Sequence, residues 1–172
     1  PEEPKPSWRE LTAQIMETEC SKKLLEQWQP RTLTIGQDVP ITGSPEVFGE
    51  NTPEQKLAEF LTLWQKRNYG NMAKCVSSMM WDSVSKFAGR MKEHYQGRKL
   101  LAFEFVEISD NSAAITMIKT ALVLEVDGQQ MQKIADFRMF YSDEKGNPKV
   151  HGDSSGSWAV MNWGEGRDVA RQ

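Results

Sequence analysis

Apolar residues at Leu57, Phe60, Leu61 and Trp64 fall at the i, i+3, i+4, i+7 spacing of a single helical stripe. Thr52 and Gln55 form a T-x-x-Q capping box around Pro53, a residue suited to the first helical position. The spacing predicts a long helix over Pro53–Tyr69, closed by Gly70. An earlier helix starts at the Ser7/Glu10 capping box, runs through Trp8, Leu11, Ile15, Met16, Cys20, Leu24 and Trp28, and ends before Pro30. The poor helix formers Thr18–Ser21 divide it into two pieces. Gly36, Pro40, Gly43, Pro45 and Gly49 mark an irregular connector with a short strand at Thr32–Ile35. Asn71 opens a short helix carrying Met72, Val76 and Met79, and Asp82 opens a third, with Val84, Phe87, Met91 and Tyr95 on one face and Gly97 as its stop.

From Lys99 the period changes from helical to two. Lys99–Ser109, Ser112–Val126 and Gln129–Ser142 read as long strands joined by the hairpin pairs Asp110-Asn111 and Asp127-Gly128. A last strand is expected over Ser155–Trp163, followed by a frayed tail, Gly164–Gln172. The Asp127-Gly128 turn pairs Ile118 with Phe137 and Lys119 with Asp136; the Asp110-Asn111 turn pairs Phe103 with Ile118 and Phe105 with Thr116. Leu101, Phe103, Phe105, Glu107, Thr116, Ile118, Leu122, Leu124, Phe137, Met139 and Tyr141 then share the face expected to hold the helices. The opposite face carries Val106, Ile108, Ile115, Met117, Ala121, Val123, Ile134 and Phe140, with Glu104, Lys119, Asp136 and Arg138 between them. That face is too apolar for water, so a cover is expected. The favoured cover is a second copy, meeting Glu104, Val106, Ile115, Met117, Lys119, Ile134, Asp136, Arg138 and Phe140 in a two-fold contact. The competing cover is the N-terminal helix, through Trp8, Leu11 and Ile15.

The composition of the 172 residues, 38% hydrophobic and 26% charged, excludes a disordered chain, a collagen-like repeat and a membrane-inserted one. Net charge is −3, with 9 basic against 4 acidic residues over 53–99 and acidic flanks on both sides. Such a basic middle can steer an anion, but solvated helix faces are the favoured account. Cys20 and Cys75 have no metal-ligand spacing and read as buried thiols or one bridge. Pro1–Pro6, with no initiator Met, reads as an extended linker in a longer protein whose upstream part can hold an anchor, an export signal or another domain. The compartment stays open.

Three helices followed by a meander of long strands, from Thr52 to Trp163, resemble the nuclear-transport-factor-2-like superfamily (SnoaL-like, cystatin-like). The passage from Gly89-Arg90-Met91 to Leu100–Ile108 resembles that family's step from third helix to first long strand. The resemblance implies an α+β cone: a curved antiparallel sheet wrapped around the long helix Pro53–Tyr69, here preceded by a helical extension over 1–51 and followed by the tail. Members of the family include dehydratases, isomerases, epoxide hydrolases and cyclases, and also domains that only bind ligands or dimerise through the outer sheet, so the fold alone does not select a function.

A catalytic cone needs a carboxylate, often with His or Tyr, converging on the substrate. The candidates are His94, Tyr141 and Glu107, a thin set. Trp64, Trp81, Phe103, Phe105, Phe137, Met139, Tyr141 and Trp158 form the candidate apolar pocket, with ordinary core packing as the plainer reading. His151, Asp153 and Ser154 are neighbours on one loop and do not make a triad. Neither His has a metal-ligand partner, and no cofactor motif is present. Exposed aromatics interleaved with basic residues are lacking, so nucleic acid is not an expected partner. The expected function is therefore a non-catalytic ligand-binding or dimerisation domain, an accessory unit of a larger protein, with a small dehydratase- or isomerase-type enzyme as the alternative.

Overall fold

The computed structural model describes residues 19–34, 45, 48–77, 83–161 and 166–168. Four helices and six strands occupy them. They are α1 (Glu19–Gln27), β1 (Thr32–Thr34), α2 (Pro53–Gln65), α3 (Tyr69–Cys75), α4 (Val84–Tyr95), β2 (Lys99–Ser112), β3 (Ile115–Val126), β4 (Gln129–Ser142), β5 (Ser157–Val160) and β6 (Gly166–Asp168). The strands form one curved, open antiparallel sheet in the order β1-β2-β3-β4-β5, with β6 beside β4 as well. The α+β class and the helices-then-meander order are as the sequence pattern predicts.

α2 begins where the capping box places it. Thr52 Oγ1 accepts the Gln55 amide at 3.2 Å, and Gln55 Oε1 accepts the Asn51 amide at 3.1 Å. It ends earlier than expected. Arg67, not Gly70, takes the left-handed turn, at φ 58°, and Gly70 lies inside α3, which is capped by Asn68. α2 buries Leu57, Ala58, Phe60, Leu61 and Trp64 against β2, β4 and β5. Phe60 meets Phe137 edge-on at 6.3 Å, and α3 and α4 complete the helical layer.

The β3–β4 register is the expected one throughout, from Ile115↔Phe140 to Val126↔Gln129 around Asp127-Gly128, whose φ values are +52° and +76°. The β2–β3 register is not. β2 runs past Asp110-Asn111 to Ser112, the chain reverses at Ala113-Ala114, and Phe103 pairs with Leu122 in place of Ile118. Irregularities at Leu100/Ala102, Phe105/Glu107 and Asp110/Ser112 shift the alternation. Each extra residue turns the following side chains to the other face. Leu100 and Ile108 therefore enter the helical side, with Leu124 and Ile118 as partners, whereas Leu101 is only half-buried and Glu107 turns outward beside Lys119. The core row is Ile108–Ile118–Phe137, and Phe103 packs at its margin. The hairpin moved because pairing through Ala113-Ala114 buries Leu100 and Ile108, which the Asp110-Asn111 turn would leave outside.

Two expectations about the flanks also change. The segment 1–51 is not wholly outside the folded body, because β1 pairs with Glu107–Ser109 of β2. The presumed tail contributes β6, paired with Lys133–Ala135. The last long strand is shorter than expected, at Ser157–Val160. The first half of the N-terminal helix, with Trp8, Leu11 and Ile15, lies outside the described residues, as do Met79 and Asp82. No described helix is long and apolar enough to cross a membrane.

Phe137 is 4% exposed at the centre of this core. Phe137→Ala is expected to lose about 3–5 kcal/mol in urea melts; a loss below about 1 kcal/mol would contradict the burial.

Candidate functional site

The helical side of the sheet was the expected place for a ligand pocket. Trp64, Phe105, Phe137, Met139, Tyr141 and Trp158 do come together there, each 4% exposed or less and all in one contiguous cluster. They pack on each other and on the helices. Trp64 lies against Tyr95 at 4.5 Å and donates its indole N–H to the Arg98 carbonyl at 2.8 Å. Phe105 stacks between Phe48 at 5.3 Å and Phe103 at 5.8 Å. Tyr141 sits beside Trp158 at 4.9 Å, and its hydroxyl donates to the Asp153 carbonyl and accepts from Asn51. Gly156 is required here, since a Cβ would stand 2.5 Å from the Tyr141 ring. The Trp158 indole N–H is buried with no hydrogen-bond partner among the described residues. Trp81 lies outside the described residues.

The three acid–base candidates do not converge. Tyr141 is committed to the Asp153 loop, and Glu107 stands on the opposite face of the sheet. His94 packs edge-on against Tyr95 at 4.7 Å at the end of α4, next to the start of β2. Tyr141 is at the other end of the sheet, roughly 30 Å away at about 3.3 Å per residue along β3. The Asp153 carboxylate accepts the Ser155 hydroxyl and amide, which hold its pKa below the usual carboxylate range and tie the loop over Tyr141. Cys75 is a free, buried thiol that burial pushes up to about 12, so it stays protonated and unreactive. No group of three or more His, Cys, Asp or Glu able to hold a metal occurs among the described residues.

The outer face of the sheet divides into two parts. At one end Ile115 and Phe140, expected at an exposed interface, are 1% and 0% exposed. They join Ala113, Ala114 and Val150 in a second cluster, covered by Leu24, Leu25 and Trp28 of α1 and its exit, with Met161. Part of the intramolecular cover therefore exists: among the described residues it is the second piece of the N-terminal helix, over this end of the sheet. The remaining outer rows are Ser109–Met117–Arg138, Glu107–Lys119–Asp136, Glu104–Ala121–Ile134 and Ala102–Val123–Gln132, and their apolar members Met117, Ala121, Val123 and Ile134 are partly buried. Val106, at an irregularity in β2, is 39% exposed, and Glu104 is exposed. Two shallow depressions mark this surface. One, of about 300 Å³, is floored by Ala102, Ala121 and Val123 beside Glu104 and Ile134. The other, of about 240 Å³, is formed by Glu107, Ser109, Met117, Lys119 and Asp136.

Sequence reasoning missed the group that fastens the cover. Arg31, between α1 and β1, exchanges backbone hydrogen bonds with Asp110 at the sheet edge: its carbonyl accepts the Asp110 amide at 3.0 Å and its amide donates to Asp110 Oδ2 at 3.1 Å. Its guanidinium reaches Glu54 in the first turn of α2 through two bonds, of 3.2 and 2.9 Å, and also lies 3.4 Å from Asp110 Oδ2. Thr116 donates to Asp110 Oδ1 at 2.7 Å. Burial alone would lower the Arg31 pKa, but the two carboxylates outweigh it and raise it above its ordinary value. The segment thus clips over the sheet edge, with α1 on the outer face and the Arg31 head group on the helical side. The only signal in the sequence is an acid, Glu54, directly after Pro53 in a helical first turn, which the helix dipole explains without any partner.

No family model matches the chain, and no curated protein matches it either.

Arg31→Met leaves two nearly buried carboxylates, 8% and 6% exposed at their side chains, without their cation. The expected loss is about 2–4 kcal/mol in denaturant melts. Adding Glu54→Gln and Asp110→Asn to Arg31→Met should recover part of it, because the uncompensated charges go with the acids. No recovery in the triple variant would show that the clip acts through packing alone.

Proposed function

We propose that this chain is a non-catalytic interaction domain of the nuclear-transport-factor-2-like type that associates with a second copy through the outer face of its sheet. The observation that carries this reading is the contrast between the two faces. The helical side has its aromatic residues packed into a core and its polar candidates dispersed. The outer side leaves Val106, Met117, Ala121, Val123 and Ile134 in partial contact with water beside charges of both signs.

Charge order supports a self-complementary contact. Two sheets meeting face to face are related by a two-fold axis lying between them. An axis crossing the strands between the Met117 row and the Lys119 row sets each of these two rows over the other in the second copy. It also brings Ser109 over Glu107 and Met117 over the Lys119 stem. Small residues at Ala102, Ala121 and Val123 leave room in the floor for larger side chains to enter.

The test is sedimentation velocity over a concentration series from about 1 to about 500 µM. The native chain should associate reversibly, and Ile134→Lys combined with Met117→Glu should give a folded monomer. Both positions are only half-buried, so the double variant should retain its far-ultraviolet dichroism. A native chain that stays monomeric across the range would refute the proposal.

A further inference from the structure

We infer that the exposed side of the helical layer is a docking surface for an anionic lipid membrane, with Lys66, Arg67, Lys86, Arg90, Arg98 and Lys99 as its charges. It is independent of the self-association proposed above, which uses the other face of the sheet. Charge is unevenly divided along the chain, with 9 basic against 4 acidic residues over 53–99 and 7 against 11 over 100–172. The fold gathers the first group on α2, α3, α4 and the start of β2. Of its four acids, Glu54 is bound by Arg31 and Glu59 by Lys56 at 3.1 Å, and Asp82 lies outside the described residues, which leaves Glu93.

Packing at the ends of the helices brings the charges together. Trp64 donates to the Arg98 carbonyl at 2.8 Å and lies 4.5 Å from Tyr95. The end of α2, with Lys66 and Arg67, therefore stands beside the turn from α4 into β2, with Arg98 and Lys99. α4 runs away from this end and carries Arg90 and Lys86 on its exposed side, with about 14 Å from Tyr95 to Lys86 at roughly 1.5 Å per residue. Arg98 is half-buried and the others are exposed. None of the six forms an ion pair among the described residues, Lys99 included, although Glu125 is its partner in the β2–β3 register.

Local stability does not account for these cations. Lys74 and Lys92, in the last turns of α3 and α4, are favoured by the helix dipoles. Lys86 is in the first turn of α4, where the dipole disfavours a cation, and with Arg90 it makes a like-charge pair at i, i+4. Arg67 holds φ 58° at the end of α2, a conformation that glycine takes without strain. Unpaired charge kept against local stability fits an external anion. Among the described residues Val106 is the only exposed large hydrophobic residue, so the patch has no aromatic to stack on a base and no exposed apolar anchor for a peptide. Lipid headgroups need neither, since each cation near an anionic leaflet adds attraction through its charge alone. The acidic remainder of the chain does not cancel that attraction, because the helical layer is about 10 Å thick and exposed charges are screened beyond about 8 Å at physiological salt.

The test is flotation with vesicles of phosphatidylcholine alone or with about 30% phosphatidylserine. The native chain should float with the phosphatidylserine vesicles only, at about 0.1 M salt, and be released at about 0.5 M. Lys86→Gln with Arg90→Gln should weaken binding about tenfold or more, at roughly fivefold per charge. Lys23→Gln with Lys145→Gln removes the same net charge from exposed positions on α1 and in the loop after β4, and should stay within about twofold of the native chain. All four positions are exposed, so both double variants should keep their far-ultraviolet dichroism. No binding to phosphatidylserine vesicles, equal binding to both kinds of vesicle, or an equal loss in the two double variants would overturn the inference. Binding of polyglutamate without binding of vesicles would overturn the membrane in favour of an acidic protein partner.

Discussion

One guanidinium holds three layers together. Arg31 lies between a helix on the outer face of the sheet and carboxylates on the inner side, and it bridges the first turn of α2 to the edge of β2. Glu54 and Asp110 are nearly out of water, where neither carboxylate is tolerable alone. The bond therefore constrains the start of α2, the path of β1 and the end of β2 together. Moving any one of them strands a buried charge, which costs more than the pair itself contributes. This is why a segment that sequence patterning places outside the main domain is part of the sheet.

The second constraint is the division of the sheet into faces. In a regular strand alternation alone would decide it, but β2 contains three irregularities, and each reverses the side to which the chain turns. Their combined effect is selective. Leu100 and Ile108 go to the core, Glu107 goes to the outer face beside Lys119 and Asp136, and Val106 is left in water. The catalytic alternative loses its only strand carboxylate by this route, since Glu107 and Tyr141 end on opposite sides. The same shift enriches the outer face in charge, giving it the alternation of sign that a self-complementary contact uses.

Cover and sheet edge are therefore coupled at one place. The apolar end of the outer face is covered by the chain's own helix, and the helix is held by the same Arg31 that fixes the sheet edge. The packed aromatic side backs the sheet from the opposite face.

Local signals decided much of this molecule. The α+β class, the N-terminal cap of α2, the period-two meander and the whole β3–β4 register were legible. Thr52, Gln55 and Asp127-Gly128 act within a few residues of themselves, where backbone geometry and a single side chain suffice. The aromatic residues on the helical side were legible as a group, though not whether they line a cavity or fill one, because that depends on the volumes of Phe60, Met72 and Tyr95 arriving from distant helices. The β2–β3 turn was misplaced because Asp110-Asn111 carries turn chemistry while Ala113-Ala114 carries none. There the burial of Leu100 and Ile108 outweighs local propensity. The clip could not be read at all, since Arg31, Glu54 and Asp110 are 23 and 79 residues apart in the pairs that meet. Charge pairing at such separations is settled only when packing removes the water between the partners, and that is a property of the tertiary structure.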